Sequence, residues 1–103
     1  MAFQTNSLAH VLANRMAAQP TTLRHDPTMH YVEATDDTPA EVTVTFDNGT
    51  AIYIADRSRG VTTTTYAEGV KKLTNQYVFM PEDVIFNDII ADLEHLFRTA
   101  SVA

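Results

Sequence analysis

Cysteine is absent from all 103 residues. Disulfides, thiolate nucleophiles, Fe–S clusters and cysteine-based zinc sites go with it. Glycine is nearly as scarce: Gly49, Gly60 and Gly69 are the only three, so neither a phosphate-binding P-loop nor a dinucleotide fingerprint can be written. Of the serines, Ser7, Ser58 and Ser101, none sits in a nucleophile-elbow context. With nucleotide sites and serine hydrolysis of those types excluded, the expectation is a non-enzymatic protein that carries no cofactor.

Long apolar runs are also lacking. Hydrophobic residues make up 45% of the chain, yet no stretch approaches the roughly 18 needed to span a bilayer, so no membrane segment is expected. No basic start followed by an apolar core marks a secretory signal. The first 25 residues contain no acid and only Arg15 and Arg24 as bases, a composition that faintly resembles an organellar transit peptide but better suits a surface helix, the preferred assignment. The expected location is the cytoplasm.

Positive charge is in short supply, with seven bases against thirteen acids for a net charge of −6. That balance disfavours a general nucleic-acid or anionic-membrane surface. The charge is also polarised: Arg57, Arg59, Lys71 and Lys72 lie close together, and Glu82, Asp83, Asp88, Asp92 and Glu94 follow. Such a division suits solubility in the first instance, and it also suits an oriented partner or head-to-tail self-assembly.

What is present predicts one α+β domain over residues 1–103, with 1–5 and 99–103 as frayed ends. In residues 6–18, Leu8, Val11, Leu12 and Met16 recur at helical spacing behind Asn6 or Ser7 as N-cap. Ala9, Ala13 and Ala17 form a second stripe, either the flank of the buried face or a seam for self-association. Met29–Ala34 is a strand candidate. The stretch Thr43–Ile54 reads as a hairpin about Asn48-Gly49. A two-residue loop would leave both faces mixed; a three-residue loop, Asp47-Asn48-Gly49, gathers Val42, Val44, Phe46, Ile52 and Ile54 on one face and is preferred. Gly60–Tyr66 continues the meander. The sequence Thr65-Tyr66-Ala67-Glu68 has capping-box spacing and predicts a short helix through Leu73, weakened by Gly69. Gln76–Met80 is continuously apolar after its first residue and predicts a buried strand. Pro81-Glu82-Asp83 is the strongest helix start, leading into Val84, Ile85, Phe86, Ile89, Ile90, Leu93, Leu96 and Phe97 at threes and fours. The expected fold is therefore an N-terminal helix, an antiparallel β-meander of three to five strands, and a long C-terminal amphipathic helix packed on one sheet face.

Candidate chemistry is thin. His25, Asp26 and His30 offer ligand types for a metal from an unfixed loop, and Asp88, Asp92 and His95 share one helix face; an ordinary loop and a solvated acidic face account for both, and no metal site is assigned. Acids could pair across elements for general acid–base work, for example Glu41 beside Ala55 and Asp56. The remaining constellation is basic. Arg57 and Arg59 flank Ser58 in a tight turn, and guanidinium forks suit carboxylate or phosphate. With Lys71 and Lys72 on a helical segment, the four bases would not close into one pocket and would instead line one edge, with Tyr53, Tyr66 and Tyr77 nearby.

The leading expectation is a small acidic protein that acts by binding another protein, as a regulator or inhibitor, through Arg57, Arg59, Lys71 and Lys72 or through Asp88 and Asp92. The alternatives are a homo-oligomeric or virion-type structural subunit and an acidic mimic of nucleic acid built on the Glu82–Glu94 helix.

Overall fold

The computed structural model describes residues 7–18 and 25–100. In chain order it contains α1 (Leu8–Ala17), β1 (Pro27–Val32), β2 (Glu41–Phe46), β3 (Thr50–Arg57), β4 (Gly60–Ala67), β5 (Val70–Val78) and α2 (Glu82–Ala100). All five strands are antiparallel and lie in the order β1-β2-β3-β4-β5. This is the expected α+β meander at its five-strand limit.

Alternation along the strands decides which face is covered. Val42, Val44 and Phe46 of β2, Ile52 and Ile54 of β3, Val61 of β4 and Tyr77 of β5 are buried with residues of both helices in one cluster. Each large apolar side chain fully withdrawn from water contributes about 1.5–3 kcal/mol. The opposite face carries Thr43, Thr45, Tyr53, Thr62, Thr64 and Tyr66, which stay exposed or half-buried, as one face of an antiparallel sheet often does.

The β2–β3 hairpin has the three-residue loop. Val44 pairs with Ile52 and Thr45 with Ala51, which leaves Phe46 opposite Thr50. Gly49 sits at φ +90°, and its N–H returns to the Phe46 carbonyl at 3.1 Å. The turn needs that left-handed residue, and glycine adopts it without a Cβ clash.

Helix α1 is shorter than expected and turned on its axis. Its buried residues are Ala9, Leu12, Ala13 and Met16, whereas Leu8 and Val11 are only partly covered. Small alanines let α1 lie close to the sheet and α2, so Ala9 and Ala13 are spent on the core and offer no seam to another copy. Two of the unpaired N–H groups at its start are satisfied: Ser7 Oγ accepts from His10 at 3.2 Å, and Asp56 Oδ1, reaching from the end of β3, accepts from Ala9 at 2.8 Å.

Three further expectations are corrected. Strand β1 starts at Pro27 and ends at Val32, because proline's missing N–H is harmless on an edge strand. The helix expected over residues 65–73 does not form. Glu68 at φ +53° and Gly69 at φ +80° make the two-residue turn of a β4–β5 hairpin, since consecutive left-handed residues match the strand twist. The stretch Gln76–Met80 is not a buried strand either: Tyr77 is buried, but Val78, Phe79 and Met80 are exposed. The helix start at Pro81 leaves Phe79 and Met80 to the connection, and β5 is an edge.

Helix α2 begins where expected, with the Ile85 N–H donating to the Pro81 carbonyl at 3.1 Å. Ile85, Phe86, Ile89, Ile90, Leu93 and Phe97 are buried, while Val84 is exposed and Leu96 half-buried. The Phe97 ring meets Phe46 edge-on, with centroids 5.3 Å apart. The helix continues through Thr99 and Ala100; residues 1–5 and 101–103 lie outside the described residues. Among the described residues no helix is long and apolar enough to cross a membrane.

Candidate functional site

The two carboxylates considered for acid–base chemistry are separated by the sheet itself. Glu41 pairs with Ala55 as expected, and its carboxylate accepts from the Tyr53 hydroxyl on the open face, where partial burial and that hydrogen bond push the phenol up to about 12. Asp56 points the other way, to the start of α1. His25 is also occupied: Nδ1 lies 2.7 Å from Asp47 Oδ1, and its ring meets Phe97 edge-on. His30 stands on β1 opposite Thr43. Among the described residues no three His, Cys, Asp or Glu side chains converge to hold a metal.

The acids of α2 are largely engaged inside the molecule. Arg15 Nη1 contacts Glu82 at 2.9 Å and Asp83 at 2.7 Å while its guanidinium lies over the Phe86 ring at 4.2 Å. Asp88 accepts from the Tyr77 hydroxyl, and Asp92 accepts from Asn75 Nδ2 at 3.1 Å. Burial and the nearby Asp88 raise the Asp92 carboxyl above the usual range, and the burial of Tyr77 with its bond to Asp88 raises that phenol. Asp88 and Asp92 thus fasten α2 along the inner side of β5. Four of the five acids on this helix have such partners within the chain.

The bases fall at the two ends of β5. Lys71 and Lys72 are exposed at its start, on a strand instead of a helix, where the register shifts between Thr65 and Tyr66 and Lys72 becomes the extra residue of a bulge. Arg57 and Arg59 sit at the β3–β4 turn, next to the other end of β5, because Gly60 pairs with Val78. The span from Lys72 to Val78 is about 20 Å at roughly 3.3 Å per residue. The four bases therefore do not form a pocket; they bracket one edge. Among the described residues none of the four is in an ion pair.

At the Arg end, β5 leaves the sheet through an uncommon conformation. Phe79 has φ +58°, a left-handed backbone that a bulky side chain rarely takes. Its N–H donates to the Arg59 carbonyl at 3.0 Å, and the Arg59 guanidinium lies 5.2 Å from the centre of its ring. Gly60 permits this close passage: a Cβ there would stand 1.6 Å from the Tyr77 carbonyl oxygen. The result holds the Phe79 side chain outward at 74% exposure; its chain neighbours Val78 and Met80 are exposed at 51% and 39%, and so is Val84 in the first turn of α2 at 45%. An exposed aromatic ring with a cation over it and exposed apolar chain neighbours resembles the anchors of protein interfaces in composition.

Arg57 and Arg59 were legible as a turn, but Phe79, Val78 and Met80 were missed because their run of apolar residues suggests burial. The signal available was position: a run that abuts a proline-led helix start has no room to be a strand interior. Comparison with family models, with curated proteins and with solved structures found no match to this chain.

Proposed function

We propose that this is a non-enzymatic binding protein of the cytoplasm that regulates or inhibits another protein by docking it at the free edge of the sheet, around Phe79. The observation that carries this is the conformation of Phe79. Holding a phenylalanine at φ +58° costs on the order of 1–2 kcal/mol, and the same backbone keeps its ring in water instead of in the core. Within the monomer the residue is held by the Arg59 carbonyl and touched by the Arg59 guanidinium, yet most of its ring surface stays in water, which favours a role in contact with something else. The exposed chain neighbours Val78 and Met80 enlarge the contact, and Arg57 and Arg59 supply charge at its rim.

The test is capture on immobilised protein from a cell extract, comparing the parent with Phe79→Ala and with a change on the open face, Tyr66→Ser. A protein retained in stoichiometric amount by the parent and by Tyr66→Ser, and lost by Phe79→Ala, supports docking at this corner. Equal retention by all three variants rejects it.

A further inference from the structure

We infer that the ligand of this edge is an extended acidic segment of another protein, added to β5 as a sixth strand, with an apolar side chain set against Phe79. This rests on the docking role proposed above and specifies its occupant.

Among the described residues, strand β5 has a neighbour on one side only. Beyond the bulge at Lys72, residues Leu73–Val78 keep an unbroken register with β4, and in such an edge every second residue turns its N–H and C=O outward. A peptide pairing with them gains main-chain hydrogen bonds that do not depend on its sequence, so side chains must supply the selectivity. Here the selecting groups are Lys71 and Lys72 at one end and Arg59, with Arg57 behind it, at the other. None of them is in an ion pair among the described residues, on a protein whose net charge is −6.

The same placement argues against a second copy. Antiparallel pairing of two β5 edges brings Lys71 and Lys72 of one chain toward Arg59 of the other, and parallel pairing sets like against like at both ends. Both arrangements oppose cations across a closed interface. Lysines and a bulge on an edge strand are devices that prevent such pairing. An acidic strand reverses the sign of every one of those contacts. Asp88 and Asp92 do not oppose it from the edge, since they are turned to Tyr77 and Asn75.

The experiment selects ligands from a randomised octapeptide library on the immobilised full chain, then measures amide hydrogen exchange with the selected peptides bound. The expected peptides are enriched in Asp and Glu around an aromatic or aliphatic residue and slow exchange within Leu73–Val78 at least tenfold. Their affinity falls at least tenfold in Lys71→Gln/Lys72→Gln and in Arg59→Gln, and declines as salt is raised. Peptides without acidic enrichment, peptides that leave β5 exchange unchanged, a selection that yields none, or a concentration-dependent homodimer that protects β5 would each overturn the proposal. Acid-poor peptides that still require Phe79 would remove the acidic occupant while leaving the docking role intact. Binding insensitive to Phe79→Ala as well would remove both.

Discussion

Arg59 and Phe79 hold each other twice: the carbonyl of Arg59 accepts the N–H of Phe79 at 3.0 Å, and its guanidinium lies 5.2 Å from the centre of the Phe79 ring. The first contact fixes the backbone that the second decorates. Their separation of twenty residues in sequence makes the corner a product of the β4–β5 hairpin.

Phe79→Gly and Phe79→Ala should part company in stability. Both remove the ring and with it the proposed docking, but only glycine relieves the backbone at φ +58°. The glycine variant should be more stable than the alanine variant by about 1 kcal/mol, or about 4–8 °C in thermal midpoint for a domain of this size. Equal midpoints by circular dichroism would mean that the left-handed backbone carries no cost.

Gly60→Ala should be among the most damaging single-methyl changes. The added carbon meets backbone, with the Tyr77 carbonyl oxygen at 1.6 Å, so no side-chain rotation can relieve it. The end of β5 must move away from β4, and a loss on the order of 2 kcal/mol or more is expected. Denaturant unfolding would measure it, and a loss below about 0.5 kcal/mol, the range of ordinary surface changes, would contradict this account.

Asp56→Ala should cost about 1–2 kcal/mol by taking away the acceptor for Ala9 N–H and the negative charge at the start of α1. Asp56→Asn retains an acceptor and should recover part of that loss. Exchange protection at the first amides of α1 should fall in the alanine variant; unchanged protection would assign the cap to Ser7 alone.

Asp92 sets a pH dependence whose sign follows from its raised pKa. Burial first, and then the nearby Asp88, favour the protonated form in the folded chain. The folded state therefore binds the proton more tightly than the unfolded state, so the Asp92 contribution is most favourable below the usual carboxylate value and is lost as pH rises through the raised one. Asp92→Asn keeps an oxygen to accept from Asn75 and loses the charge. It should raise the thermal midpoint at pH 7 and flatten the stability profile across that acidic window. A fall in midpoint at pH 7 would show instead that the charged form strengthens the bond to Asn75.

The architecture was legible wherever a local signal and a periodic one agreed. Pro81-Glu82-Asp83 and the spacing from Ile85 to Phe97 both specify α2, and the need to collect Val42, Val44, Phe46, Ile52 and Ile54 on one face fixed the β2–β3 register. The errors arose where two local signals compete. Thr65–Glu68 has the spacing of a capping box, but Glu68-Gly69 also makes a tight turn, and pairing of the long β5 with β4 decided for the turn. Orientation about the α1 axis depended on how close that helix comes to the sheet, which alanines allow and hydrophobicity alone does not reveal. Of the candidate site, the Arg57–Gly60 turn was visible; the exposed Phe79 was not, because exposure of an apolar residue follows from where an edge lies and not from its own sequence neighbours.

The strand order has a consequence for how the molecule comes together. Every strand pairs with the one beside it in sequence, so the sheet can zip hairpin by hairpin with only short loops to close. Helix α1 is tied to β1 over 17 and 22 residues, but its bond to Asp56 spans 47 and its ion pairs to α2 span 67 and 68 residues. The longer closures are rewarded only once β3 and α2 are in place. Helix α1 can therefore be held at β1 early, while its bonds to Asp56 and to α2 close only after the sheet has zipped.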